Sequence, residues 1–150
     1  MTHEFIKAKG LVQLVLTDEF GNIKEQQQHN LVVTTGLGYI TSRMKDATAG
    51  AISHLGVGTG ATAAAAADTA LGTEIGTRSA ATVTQVTTTL ANDTLQAVAT
   101  FAAGNGTGAL TEAGIFNAST AGTMIARTVF SVINKGVNDT LAITWKITLA

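Results

Sequence analysis

Hydrophobic and polar positions alternate most clearly at the end of the chain, in DTLAITWKITLA. Leu141, Ile143, Trp145, Ile147 and Leu149 fall on one side, while Ala142, Thr144, Lys146 and Thr148 fall on the other. A period of two predicts a strand with one buried face. Met124 to Ile133 (MIARTVFSVI) predicts a second long strand. Asn134-Lys135-Gly136 and Asn138-Asp139 lie between the two, so they form an antiparallel hairpin. Thr94 to Phe101 places Leu95, Ala97, Ala99 and Phe101 on one face. Ser79 to Leu90 is a Thr/Val-rich strand candidate that turns at Ala91-Asn92-Asp93. The short EAGIFN segment, Glu112 to Asn117, follows a glycine-rich loop around Asn105-Gly106. Leu11 to Leu16 and Ile23 to Gln28 flank Asp18-Glu19-Phe20-Gly21-Asn22, a further hairpin signal.

One segment follows a helical period. Thr34 to Met44 (TTGLGYITSRM) offers Thr34 or Thr35 as N-cap and places Leu37, Ile40 and Met44 on one stripe, although Gly36 and Gly38 weaken it. The pattern therefore predicts an all-β chain: an antiparallel β-sandwich or jelly-roll-like domain of about eight strands, with one short helix near residues 34–44. Residues 1–9 are expected to be a flexible arm carrying Phe5 and Ile6, and residues 10–150 a single domain.

Composition sharpens this picture. At 150 residues the chain is long enough to bury a core without disulfides or metals. Proline and cysteine are absent, and threonine is visibly frequent, which favours sheet and excludes a disulfide framework. The lack of cysteine agrees with folding in a reducing compartment. Only 13% of residues are charged and the formal net charge is -1, so neither nucleic acid nor an acidic membrane is an expected partner. The N-terminal MTHEFIKAKG has no long apolar core of a secretory signal, and no apolar run is long enough to cross a bilayer. With 45% hydrophobic residues, much of the surface is expected to be covered by other subunits.

Candidate chemistry is sparse. Gly56-x-Gly58-x-x-Ala61 follows the apolar run Ile52 to Val57 and precedes an alanine tract, as a phosphate-binding glycine loop would. It lacks the second strand of a βαβ unit and the Gly-Lys-Ser/Thr of a P-loop, so a mobile loop is the expected reading. His3, His29 and His54 have no ligand spacing. Asp68, Glu74 and Glu112 do not alternate as calcium ligands do, and no nucleophile motif is present. No cofactor, metal or catalytic group is therefore expected. Arg127 lies between apolar residues and Arg78 follows Glu74. Either arginine is expected to pair with Glu112 or Glu74 in a structural role, unless all four face solvent at sheet edges.

The segments GxVxLxLTDEFGNI, HNLVVTTGLGYITSRM, ISHLGVGTGAT, DTALGTEIGTR, LTEAGIF, ARTVF and ITWKITL, in that order, resemble small virion structural proteins of tailed bacteriophages. The resemblance covers nearly the whole chain. It runs through a Gly-Thr-Gly loop (58–60), Leu71-x-x-Glu74 with Arg78, Glu112-x-Gly114-Ile115-Phe116 and Arg127-x-x-Phe130. It implies a capsid cement or decoration subunit, or else a short tail-fibre or baseplate module. It also implies location in the virion after assembly in the host cytoplasm, and as partners the major capsid protein or tail proteins of the same particle. A homo-oligomer, trimer or dimer, is expected, with Phe5 and Ile6 at a partner contact. A small carbohydrate-binding module is the third possibility, disfavoured because one Trp and one Tyr make a poor sugar platform and Trp145 lies on an apolar strand face.

Overall fold

A computed structural model describes residues 4–150. Among them are nine strands and one helix: β1 (Ala8–Thr17), β2 (Ile23–Val32), α1 (Thr34–Lys45), β3 (His54–Gly58), β4 (Glu74–Ala80), β5 (Thr82–Val86), β6 (Thr94–Phe101), β7 (Gly108–Phe116), β8 (Met124–Lys135) and β9 (Thr140–Leu149). All pairings are antiparallel, in the order β4-β3-β7-β8-β2-β1-β9-β6-β5. The protein is all-β, but its sheet curls into a nearly closed barrel rather than splitting into a sandwich. Two features close it. The edge strands β4 and β5 are consecutive in the chain, separated by Ala81, whose N–H bonds the Ser53 carbonyl at 2.8 Å. On the opposite side β2 pairs with β1 over most of its length and passes to β8 only at Leu31 and Val32. β4 and β5 remain the two edges of the sheet, each paired on one side only.

The predicted 79–90 strand is thus two strands in two environments. Ser79 and Ala80 end β4 and pair with β3, whereas Thr82–Val86 forms β5 and pairs with β6. It ends at Val86 because the Asp93 carboxylate accepts the N–H groups of Thr88, Thr89 and Leu90 at 2.8–2.9 Å, bending that segment into a turn.

The barrel core follows the period of two. Val12, Leu14 and Leu16 of β1 pair in register with Trp145, Ile143 and Leu141 of β9, and Ala97, Ala99 and Phe101 of β6 continue the layer. Ala113 and Ile115 of β7 point into this core. The alternate residues Glu112, Gly114 and Phe116 point outward, yet Glu112 and Phe116 are buried there as well. Loop 59–73 covers that outer face, and Leu71, Phe116, Met124 and Val33 form a second, smaller core beneath it.

The helix packs on a different face from the expected one. Its N-cap is Val33, and Thr35 donates its hydroxyl to the Met124 carbonyl instead of capping. Gly36 and Tyr39 are buried, whereas Leu37 is 52% and Met44 79% exposed. The reason is contact distance: a Cβ on Gly36 would lie 1.9 Å from the Ile125 carbonyl oxygen. Only glycine lets the helix approach β8 so closely. The expected arm is also shorter. Lys7 and Ala150 exchange N–H···O bonds at 2.7 and 2.9 Å, and Ala8 already belongs to β1, so residues 7–9 are part of the sheet. His3 lies outside the described residues.

Trp145 is fully buried, and its indole N–H has no partner among the described residues. Trp145→Ala is expected to lower stability by about 3–5 kcal/mol in chemical denaturation. Trp145→Phe, which removes the unpaired donor and keeps an aromatic ring, should be much milder.

Candidate functional site

The glycine loop does bind an anion, and the anion is a side chain of the protein. The N–H groups of Gly60, Gly72 and Thr73 converge on the Glu112 carboxylate at 2.9, 2.9 and 2.7 Å. This is the geometry of a backbone anion nest. A Cβ at Gly60 would sit 2.5 Å from Glu112 Oε1, and one at Gly58 would collide with both Glu112 and the Thr73 carbonyl. The Gly-Thr-Gly spacing is therefore required by the approach of a carboxylate, as it would be by a phosphate. The alanine tract after it forms a turn rather than a helix, with Asp68 accepting the Ala65 N–H at 2.9 Å.

Arg127, on the neighbouring strand β8, completes the cluster. Its Nε donates to Glu112 Oε2 at 2.9 Å, and its Nη1 to Asp68 Oδ2 at 2.8 Å. Nη2 donates to the Thr62 carbonyl at 3.0 Å. Glu112 is fully buried and Arg127 only 3% exposed. Burial pushes the Glu112 carboxyl toward the neutral form, but the N–H groups of Thr73 and Gly72, the guanidinium and the Gly60 N–H more than offset it. The pKa is held below its ordinary 4.5. Asp68 is likewise held below 3.8, chiefly by the Ala65 N–H against burial, with Arg127 adding to the effect. Loop 59–73 is thus fastened to the barrel wall through both its N–H and its C=O groups, and is not the mobile loop expected from its glycines.

Glu74 and Arg78 form a separate second pair. Arg78 donates through Nε and Nη2 to the two Glu74 oxygens at 2.7 and 3.1 Å. Its Nη1 reaches the carbonyls of Ala118 and Ala121 at 3.1 and 2.7 Å. The guanidinium lies over the Phe116 ring, 3.4 Å from its centre, in a cation–π stack. Asp68, Glu74 and Glu112 are thereby each engaged by an arginine. His29 Nδ1 contacts the Gly10 carbonyl at 3.2 Å, and His54 Nδ1 the Ser53 hydroxyl at 2.8 Å.

The sequence reading missed Asp68 as the second acidic partner and the stacking of Arg78. It also missed an apolar cleft of about 740 Å³ between α1 and the β5–β6–β9 wall. That volume lies in the range of binding cavities, roughly 300–1,000 Å³. Tyr39, Ile40 and Met44 form its helical side, and Val83, Leu95, Ile147 and Leu149 its sheet side. The only sequence signal for it was the apolar stripe of the helix, of which Ile40 packs against the main core while Met44 is left exposed at the rim.

Compared with known protein families, curated proteins and solved structures, the chain matches none of them. The fold and site on their own define an all-β, barrel-like protein whose glycine loop is clamped by an internal carboxylate.

Breaking the clamp should be costly because it leaves the buried guanidinium with only the partly exposed Asp68 as counter-charge. Glu112→Gln is expected to destabilise the protein by about 3–5 kcal/mol and to speed amide exchange at Gly60, Gly72 and Thr73. The pH dependence follows from the lowered carboxyl pKa values: stabilisation is complete above about 4.5 and is lost as pH falls through the still lower folded values. Acid titration of unfolding should therefore show a steeper loss below pH 4.5 in the wild type than in Glu112→Gln.

Proposed function

We propose that the chain is a non-enzymatic structural subunit of a tailed-bacteriophage particle, a cement protein that sits on the lattice of major capsid subunits. The observation that carries this reading is the distribution of exposed apolar side chains on a nearly closed barrel. Phe20 is 82%, Ile23 60% and Val137 61% exposed, all at the barrel end where β1 meets β2 and β8 meets β9. Their presentation is fixed. The Asp18 carboxylate accepts the N–H groups of Phe20 and Asn22 and the Asn22 side chain at 2.8–2.9 Å. Asn138 bridges to Glu19 at 2.9 Å, linking the two turns. A large apolar residue held out on an ordered turn suits contact with another protein.

The interior arrangement supports the same role. The arginines Arg78 and Arg127 hold loops onto the barrel, which suits a subunit that must resist deformation. Binding many copies to a lattice stabilises the lattice by mass action, without chemistry. The order of motifs from the Gly-Thr-Gly loop to Arg127-x-x-Phe130 supports the phage assignment. A tail-fibre or baseplate module would use the same barrel in few copies.

The test is to count copies in purified particles and to image them. Many copies spread over the head are expected, whereas a few copies at one vertex would move the protein to the tail. Purified chain added to heads that lack it should rebind, and Phe20→Asp should weaken that binding by at least about tenfold, the effect of losing one apolar anchor.

A further inference from the structure

We propose that Lys135 is a positioning residue for the barrel end that docks: its buried ammonium braces the Val137 turn against loop 102–107. The inference rests on the capsid reading for what docks there, whereas the brace itself is a property of the isolated chain.

Lys135 ends β8 and follows the core residue Ile133 by two positions, so its side chain enters the barrel from the same face of the strand. It is only 2% exposed. The residue opposite it on β7 is Gly108, which has no side chain to compete for the space. Lys135 Nζ donates to the Ala102 carbonyl at 3.0 Å, just beyond the end of β6. In the sheet order β2, β1 and β9 separate β8 from β6, so the side chain reaches across the barrel mouth rather than along one wall. The backbone repeats the connection, because the Gly104 N–H donates to the Val137 carbonyl at 2.8 Å. Val137 is the exposed apolar side chain of that turn, and its neighbour Asn138 bonds Glu19 beside Phe20. One run of contacts thus joins Ala102, Lys135 and Val137 to the Asp18–Asn22 turn.

Stability alone does not account for a lysine here. Among the described residues its ammonium has no direct ion pair. Asp139 attracts it from the following turn, but one oxygen of that carboxylate accepts the Gly136 N–H at 2.7 Å. Residues 101–109, which pass over the mouth and into β7, contain no ionisable side chain. Burial outweighs the attraction of Asp139 and pushes the Lys135 pKa below its usual 10.5. The folded chain therefore holds this charge at a cost, and an apolar side chain of similar length would be equally stable or more so. What lysine adds is a hydrogen-bond donor on a stem long enough to cross the mouth. That donor fixes the loop to which the Val137 carbonyl is bonded.

Lys135→Met keeps a long, unbranched side chain and removes the donor. In the isolated protein it should leave the melting temperature unchanged or raise it, while the Gly104 amide exchanges about tenfold faster. Rebinding to heads should weaken by about tenfold. Adding Val137→Ser should then weaken it little further, because both changes act on the same presented side chain. In the wild type, the Gly104 amide should exchange about tenfold more slowly than that of Ala103 in the same exposed loop, after correction for intrinsic rates. The proposal is overturned if Gly104 and Ala103 exchange alike in the wild type, or if Lys135→Met leaves Gly104 exchange or head rebinding unchanged. A lower melting temperature, or a variant that does not fold, overturns it too, since Lys135 would then be a residue of the core. Wild-type chain that binds no heads removes the capsid reading instead, and the role of Lys135 is then decided by Gly104 exchange and melting temperature alone.

Discussion

The contact on which most of this structure depends is a buried carboxylate held by three backbone N–H groups and one arginine. Glu112 and Arg127 stand on adjacent strands, facing outward from the barrel. Neither charge would be tolerable there without full pairing, because removing an ion from water costs several kcal/mol. Loop 59–73 supplies the pairing and in doing so excludes water from it. Loop and ion pair therefore require each other. The loop has no regular structure to hold it, and the ions have no solvent.

That mutual requirement explains several features that otherwise look unrelated. β7 is buried on both faces, by the barrel core on one side and the loop on the other. Gly58 and Gly60 lack side chains because the carboxylate occupies that space. Val33 and Met124, near the ends of β2 and β8, pack with Leu71 from the loop, so the junction where the sheet passes from one half of the barrel to the other is sealed by the same segment. The second pair, Arg78 with Glu74, repeats the device on a smaller scale by tying β4 to the turn after β7 through the Ala118 and Ala121 carbonyls.

Function, on this reading, resides in what the nearly closed barrel leaves outside. Glu112 and Arg127 are drawn inward to hold a loop, whereas Phe20, Ile23 and Val137 at one end and Ile6, Met44 and Leu90 at the other remain exposed. Apolar ends and a well-hydrogen-bonded body suit a subunit that contacts other proteins at its ends. The cleft beside α1 arises from the same architecture. β5 pairs only with β6, and the helix that covers the remaining gap turns only Gly36 and Tyr39 fully inward.

Local pattern determined the strands wherever one face was apolar and the other polar. β9 and β6 could be read residue by residue, because a period of two leaves no other register that buries Trp145 and Phe101. The hairpin turns were legible from Asp18-Glu19-Phe20-Gly21-Asn22 and from Asn138-Asp139 for the same local reason. The candidate pairs were also legible as residue types, since an arginine among apolar neighbours demands a carboxylate. Which carboxylate, and that Asp68 would join it, depended on strands β7 and β8 lying side by side and on a loop reaching over them. Barrel closure was likewise hidden, because a bend at Ala81 is stabilised by the distant Ser53 carbonyl rather than by its own residues. The helix face was decided by Gly36 meeting a backbone oxygen of β8, a contact whose partner lies 89 positions away at Ile125. Periodicity reports what each segment prefers to bury. Only the assembled chain decides which surface is there to receive it.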